Sequence, residues 1–281
     1  MTHVTKEMLK STYWPVPSES AQRRIADFLD DRVSRIDRII AARQRQQSLV
    51  SDSFQAWLDT ACAELWARYG EIPLRRLQLT IEQGWSPKVD AAPAHPGEPG
   101  LLKLGSVRRG EFRPDQNKAF PESVTPREEY RIKHGDLLIT RANTPALVGD
   151  IAIVDEVGDC PLYLSDLIYR VKLQQADPGF ISTCLRTSPA RQKISVIARG
   201  TSGSMPKLRG EDLRELSVPN APVPDQCAFS LAEQRQRLDL AARTNALTRS
   251  IELLTEYKQS LITAAATGQL DVTTASTRIP E

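Results

Sequence analysis

Arginine carries most of the chemistry this sequence has to offer, and it is unevenly spread. Between Lys103 and Lys118 the chain places Lys103, Arg108, Arg109, Arg113 and Lys118 against Glu111 and Asp115. A guanidinium is a planar fork that donates two parallel hydrogen bonds to the O6 and N7 edge of guanine or clamps a phosphate, whereas a lysine supplies a point charge. Gly105 and Gly110 suggest that Arg108, Arg109 and Arg113 ride on a loop; the plain alternative is a solvated hairpin. A second basic stretch holds Arg186, Arg191, Lys193, Arg199, Lys207, Arg209 and Arg214 against Glu211 and Asp212. Arg141-Ala142-Asn143-Thr144 directly follows the apolar run Leu137 to Thr140. The amide of Asn143 matches the N6 and N7 edge of adenine and the Thr144 methyl suits thymine, although an asparagine before Pro145 can equally bond its own backbone to make a turn. From Arg199 to Lys207 the hydroxyls of Thr201, Ser202 and Ser204 stand among glycines, a chemistry better suited to phosphates than to bases. Gly84-Trp85-Ser86-Pro87-Lys88 offers the same through Lys88, with Trp85 equally suited to anchoring a core.

Catalytic chemistry is harder to assemble. Neither of the common glycine-rich nucleotide loops occurs, and no adenine-methylating motif is present. Asp136, Asp150, Glu128 and Glu129 are carboxylates of the type a nuclease uses, but nothing in their spacing gathers them around a metal. His134 has no nucleophile signature beside it, so a structural role is expected. The four cysteines, Cys62, Cys160, Cys184 and Cys227, form no C-x-x-C pair and meet only three histidines, which argues against structural zinc or a disulfide framework. Cys160 and Cys184 suit buried apolar positions. The expectation is a protein without catalytic residues, metal or cofactor of its own.

The 281 residues carry 37 Lys plus Arg against 35 Asp plus Glu, so a formal charge of +2 excludes bulk electrostatics as a source of nucleic-acid affinity. Any such surface must be local. Hydrophobic residues at 40% and charged residues at 26% fit a folded chain rather than a disordered one. No secretory leader or run of membrane-spanning length is evident, so a cytoplasmic, reduced protein is expected.

Three textures position these residues. From Glu19 to Tyr69 there is no proline, and Ile25, Leu29, Ile36, Ile40, Val50, Phe54, Trp57, Ala61 and Leu65 recur at helical spacing. That helix would reach roughly 70 Å at 1.5 Å per residue, with Ser18 or Ser20 as its cap. Its stripe runs through Arg43 and Gln47, where a break would be least surprising. Gly70 and Pro73 end it. Residues 72 to 225 mix turns with short apolar strands, for which Leu101 to Leu104, Asp136 to Thr140, Asp150 to Asp155 and Leu167 to Leu173 are candidates. A short helix within Gly179 to Arg191 would end at Ser188-Pro189. After a proline-rich passage, Leu231 to about Thr267 is a second helix whose seam is Leu247, Ile251, Leu254 and Leu261, with Lys258 intruding. Each stripe exceeds what one small domain covers, so the helices should pack on each other, on a second copy, or on another subunit.

The two helix starts echo one another: Ser20-Ala21-Gln22-Arg23-Arg24-Ile25 and Leu231-Ala232-Glu233-Gln234-Arg235-Gln236-Arg237-Leu238 bracket the mixed region. With SESAQRRIADFLDDRVSRIDRII, GWSPK, LLKLGSVRRGEF, HGDLLITRANTPALVGDIAIVD, LYLSDLIYRV, TSGSMPKL, SLAEQRQRLDL and ELLTEYKQSLITAAATGQLDV in this order, the sequence resembles the specificity subunit of type I restriction-modification systems. A full subunit of that family has two target-recognition domains, each followed by a long helix, and the helices pack antiparallel; this chain resembles a half-length form, or the second half of such a subunit.

The resemblance implies an α+β fold, with one mixed target-recognition domain flanked by two long antiparallel helices that form a coiled-coil-like spacer. It divides the chain into an N-terminal tail (1–18), a helical spacer segment (19–70), the recognition domain (71–225), a C-terminal long helix (226–270) and a tail (271–281). It implies sequence-specific recognition of half of a bipartite site in double-stranded DNA. The expected partners are adenine-methylating M subunits, the motor and nuclease R subunit, and a second copy or another half-subunit, with no membrane. Those partners would handle S-adenosylmethionine, ATP and magnesium. The DNA-facing residues would be Lys88, Lys103, Arg108, Arg109, Arg113, Lys118, Arg141, Asn143, Thr144, Arg199, Thr201, Ser202, Ser204 and Lys207. The partner seam would be Ile25, Leu29, Ile36, Ile40, Leu247, Ile251, Leu254 and Leu261. The rival expectation is a structural coiled-coil adaptor whose mixed domain binds protein.

Overall fold

The computed structural model describes residues 16–87, 92–198 and 205–272. The chain is α+β: a long N-terminal helix, a set of short sheets, and a long C-terminal helix. It divides into two units, one made by the segments up to Ser51 and from Leu240 onward, the other by Asp52–Asp239.

Helix α1 spans Glu19–Tyr69 and helix α5 spans Val223–Ala266. Ser18 caps α1, its hydroxyl accepting from Ala21 N–H, and Gln22 reaches back to the carbonyl of Pro17. In the first unit the α1 and α5 segments pair antiparallel. Gln47 donates to the Thr248 hydroxyl at 2.8 Å and Lys258 meets the Asp37 carboxylate at 2.6 Å, so stepping back along α1 matches stepping forward along α5. These are the polar positions that interrupted both apolar stripes. Gln47 finds its partner across the pair, and α1 runs through Arg43 and Gln47 without the break its polar stretch suggested. Ile36 and Leu261 are buried, while Ile25, Leu29, Ile40, Leu247, Ile251 and Leu254 are half-buried. Pairing within the chain thus covers part of each seam.

In the second unit α1 ends at Gly70, which takes the left-handed conformation (φ +68°) and donates to the carbonyl of Trp66. The strands that follow are β1 (Glu71–Pro73), β2 (Thr80–Gln83), β3 (Gly100–Leu102), β4 (Val107–Arg108), β5 (Glu111–Phe112), β6 (Asn117–Ala119), β7 (Leu137–Thr140), β8 (Ile151–Ile153), β9 (Leu162–Tyr163), β10 (Ile168–Lys172) and β11 (Ser217–Pro219). Three short helices stand before β11: α2 (Pro178–Leu185), α3 (Ser188–Ile197) and α4 (Gly210–Arg214). The central sheet has the order β2-β10-β7-β8, antiparallel throughout. A second sheet has the order β6-β3-β9, β1 pairs with β11, and β4 with β5 forms a hairpin.

The central sheet is buried on both faces. Along β7, Leu137 and Ile139 join one apolar core and Leu138 joins the other; along β10, Tyr169 and Val171 oppose Ile168 in the same way. This explains why these strands are nearly continuous apolar runs. Leu58 and Cys62 of α1, α2, and Phe229 of α5 close the first core.

Two proline positions differ from the sequence expectation. Ser188-Pro189 opens α3 instead of ending a helix, and Val223-Pro224 lies in the first turn of α5. A proline in the first turn removes only an N–H that has no intrahelical acceptor, so it initiates as readily as it terminates.

Candidate nucleic-acid interface

The hairpin of β4 and β5 is an exposed arginine platform. Val107 pairs with Phe112 and Arg108 with Glu111, which leaves Arg109-Gly110 as a two-residue loop. Both loop residues have positive φ, +49° and +87°, the mark of a type I′ turn whose twist matches its strands. Glycine takes that conformation freely; an L-residue such as Arg109 is held there at a cost of about 1 kcal/mol. Val107 and Phe112 are buried beneath the turn, while Arg108 and Arg109 are exposed. Among the described residues, neither of these two arginines has an ion pair or a side-chain hydrogen bond. Arg113 instead meets Glu111 at 2.8 Å, an exposed pair of small energetic weight that water or a phosphate can replace.

What fixes the hairpin is its glycine. Gly110 N–H donates to the Ile151 carbonyl at 2.9 Å, and Arg237 donates to the Gly110 carbonyl at 3.2 Å. A Cβ at Gly110 would lie 2.5 Å from Nη1 of Arg186. Arg186 is itself locked by Glu233 at 2.7 Å, the two side chains being 10% and 5% exposed. The tip is thereby tied to the first turns of α5 that belong to this unit.

A second group of candidates converges at the end of β7. Leu208 N–H donates to the Arg141 carbonyl at 2.8 Å, and Ala142 and Lys207 form an antiparallel bridge, so Arg141, Asn143, Thr144 and Lys207 share one locality. Thr144 and Lys207 are exposed and Arg141 is half-buried, its Nε donating to the Tyr169 hydroxyl at 3.2 Å. Asn143 is only 9% exposed, and its side-chain oxygen accepts from Thr144 N–H at 2.9 Å. The turn-forming use of this asparagine is therefore the one realised. Arg191, a residue whose role the sequence did not single out, clamps the segment that follows by donating to the carbonyls of Ala146, Val148 and Gly149. Burial pushes its guanidinium below the ordinary value, and the nearby Asp150 carboxylate works against that.

Lys103 and Lys118 are brought near each other by the β3–β6 ladder, where Leu101 pairs with Lys118 and Lys103 N–H donates to the Gln116 carbonyl. Lys88, Arg199, Thr201, Ser202 and Ser204 lie outside the described residues.

Within the basic stretch from Arg186 to Arg214 the described arginines have partners in the fold, whereas Lys193 and Lys207 are exposed lysines. Arg186 serves Glu233, Arg191 serves three carbonyls, Arg209 is paired with Asp212 and Arg214 donates to the Leu79 carbonyl. Of the carboxylates considered for catalysis, Asp136 and Glu128 are held by partners, while the Oδ2 of buried Asp150 has none among the described residues. Asp136 accepts from Arg170 and from Lys133 N–H. Arg170 is buried between Asp136 and Glu82, and it also donates to the carbonyls of Glu129 and Arg131. Burial alone would raise the Glu82 carboxyl, but hydrogen bonds from Lys172 and Arg170 outweigh it and hold Glu82 below its ordinary value. His134 contacts the Asp155 carbonyl and Tyr163 donates to Glu128. Among the described residues no cluster of three metal-ligating side chains occurs.

An antiparallel helix pair in one unit and a sheet unit that displays a basic hairpin agree with what comparison to known proteins finds. No protein-family model matches the chain. Over 162 residues it is 32% identical to the type I restriction enzyme EcoEI specificity subunit of Escherichia coli, covering 56% of this chain and 26% of that protein. Over 257 residues it is 24% identical to the EcoKI specificity subunit of Escherichia coli strain K12, covering 84% and 55%. The chain is a relative of the type I specificity subunits. Its fold is theirs as well: the HsdS subunit from Thermoanaerobacter tengcongensis superposes with a TM-score of 0.50 at 17% identity, over 96% of this chain and 64% of that one. A chain from a structure concerned with complex assembly and conformational transition of the type I R-M system superposes with a TM-score of 0.68, also at 17% identity, over 95% and 64%. The matched regions thus span about a quarter and about half of the two curated relatives. Among the described residues no helix is long and apolar enough to cross a membrane.

Proposed function

We propose that this chain is a non-catalytic DNA-reading component of a type I restriction-modification assembly, and that its recognition domain reads half of a split target. The observation that carries this is the hairpin. Two exposed arginines, without partners among the described residues, stand on a turn that is anchored through Gly110 to β8 and α5. A rigid mount of this kind suits base reading, where a bidentate arginine contact discriminates by about 1–3 kcal/mol only if its fork is correctly aimed. Arg141, Thr144 and Lys207 form a second contact region, and Lys103 and Lys118 supply phosphate contacts. Adenine-methylating and motor or nuclease subunits would dock on the helical unit and supply the chemistry. The half-buried seam residues there leave room for a second copy or another half-subunit.

The test is to purify the chain with its methylating partner and map methylated adenines across a genome. A symmetric split motif is the expected product. If no motif emerges and DNA affinity is insensitive to salt between about 50 and 200 mM, the mixed domain is a protein-binding adaptor instead.

A further inference from the structure

The second unit contains a feature that the DNA-reading role leaves unused. Cys62 of α1 and Cys184 of α2 bring their sulfurs to 3.7 Å across 122 residues of sequence. Both thiols are buried, and both line a cavity of about 320 Å³ whose wall includes Asp59, Trp66, Thr187 and Lys193. Exposed Lys193 on that wall leaves small solutes a route in, while the two sulfurs remain shielded from macromolecules.

We propose that Cys62 and Cys184 form an oxidisable dithiol that a small hydroperoxide converts into a disulfide stapling α1 to α2. A disulfide requires the sulfurs at about 2.05 Å, so they must close by about 1.7 Å, a distance side-chain rotation supplies when one side is open cavity. The thiolate of Cys62 attacks the peroxide oxygen; the O–O bond breaks, Cys62 becomes a sulfenic acid, and water or an alcohol departs. The sulfur of Cys184 then attacks the Cys62 sulfur, the S–S bond forms, the S–O bond breaks, and the released hydroxyl takes the Cys184 proton as water. Two thiols lose two electrons and two protons, and the peroxide is reduced by the same two electrons. The order of roles follows from the surroundings. The hydrogen bond shared with Cys184 holds the Cys62 thiol below its ordinary value despite burial, whereas burial pushes the Cys184 thiol up. Cys160 faces the carbonyls of Ala94 and His95, and Cys227 is exposed on α5, so these two serve as internal controls.

The experiment treats the full chain, in a Cys160→Ser, Cys227→Ser background, with equimolar hydrogen peroxide. The expected result is an intact mass lower by two hydrogen atoms, reversed by dithiothreitol, with a Cys62–Cys184 cross-linked peptide in a non-reducing digest. In the same background, Cys184→Ala should accumulate a Cys62 sulfenic acid that dimedone traps. Oxygen adducts without the cross-link, or both thiols remaining fully alkylatable after peroxide and unfolding, would overturn the proposal. Because the cross-link is read on the chain that retains both cysteines, the result does not depend on whether the alanine variant folds. It is equally independent of DNA binding.

Discussion

Replacing Arg109 by asparagine separates stability from DNA binding, because its two effects have opposite signs. Arg109 sits at φ +49° in a turn whose second central residue is Gly110. For an L-residue the left-handed region costs about 1–2 kcal/mol, and asparagine, whose short side chain bonds locally, recovers part of it. Asparagine before glycine is also the favoured pair for a two-residue hairpin loop. The Arg109 side chain has no partner to lose among the described residues, and the Gly110 bonds to Ile151 and Arg237 are made by Gly110 backbone atoms that remain. Arg109→Asn should therefore stabilise the second unit by about 0.5–1 kcal/mol, which is roughly 1–4 °C in Tm for a unit of this size. On DNA the loss of one phosphate-neutralising cation lowers the slope of log affinity against log salt by about 0.9. If Arg109 instead makes a bidentate base contact, affinity falls by about 1–3 kcal/mol, roughly 5- to 150-fold. Calorimetry and a salt-resolved DNA titration on the same preparation give both readouts. A variant destabilised by about 1 kcal/mol or more would show that the arginine supports the fold, and unchanged affinity together with an unchanged salt slope would remove the hairpin from the DNA interface.

Glu233→Ala leaves the Arg186 guanidinium buried without its carboxylate and should cost about 3 kcal/mol in urea unfolding, whereas Arg186→Met combined with Glu233→Leu should fall within about 1 kcal/mol of the parent. Arg191→Ala frees the carbonyls of Ala146, Val148 and Gly149 and should accelerate amide exchange between Leu147 and Ile151, with the protection of β10 unchanged. Because Glu82 is held below its ordinary carboxylate value of 4.5, its contribution to stability is complete above that pH and is lost as the pH falls through the lowered folded value. Glu82→Gln should accordingly flatten the acid limb of the stability curve, measured as urea midpoints from neutral pH downward.

The strands were legible where apolar runs were bounded by turn residues. Leu137–Thr140, Ile151–Ile153 and Ile168–Lys172 fall inside the expected stretches because a sheet buried on both faces writes itself as continuous hydrophobicity. The proline positions were not legible in the same way, since Ser188-Pro189 and Val223-Pro224 look the same whether a helix ends before them or begins on them. The polar residues within the helical stripes were legible as anomalies but not as solutions. Gln47 and Lys258 break the apolar periodicity of their own helices, and only the antiparallel register supplies Thr248 and Asp37 as their partners. A period is a property of one segment, whereas a partner belongs to a pairing.

The same reasoning explains why the arginines divided as they did. Arg170, Arg186 and Arg214 are indistinguishable by local composition from Arg108 and Arg109, yet their acceptors lie 88, 47 and 135 residues away, at Glu82, Glu233 and Leu79. Local charge counting cannot detect a partner that the fold delivers from that distance, so it does not separate Arg186 and Arg214, which have such partners, from exposed Lys193 and Lys207. The hairpin did carry a usable signal. Buried Val107 and Phe112 flank an Arg-Arg-Gly tip, and arginine stands where a two-residue turn favours asparagine. An arginine held at a backbone cost of about 1 kcal/mol, and returning no ion pair or hydrogen bond to its own fold among the described residues, motivates the proposal of a compensating interaction with DNA. Among the described candidate residues Arg109 combines this backbone cost with an exposed, unpartnered side chain, and that is the physical reason for proposing the DNA contact there.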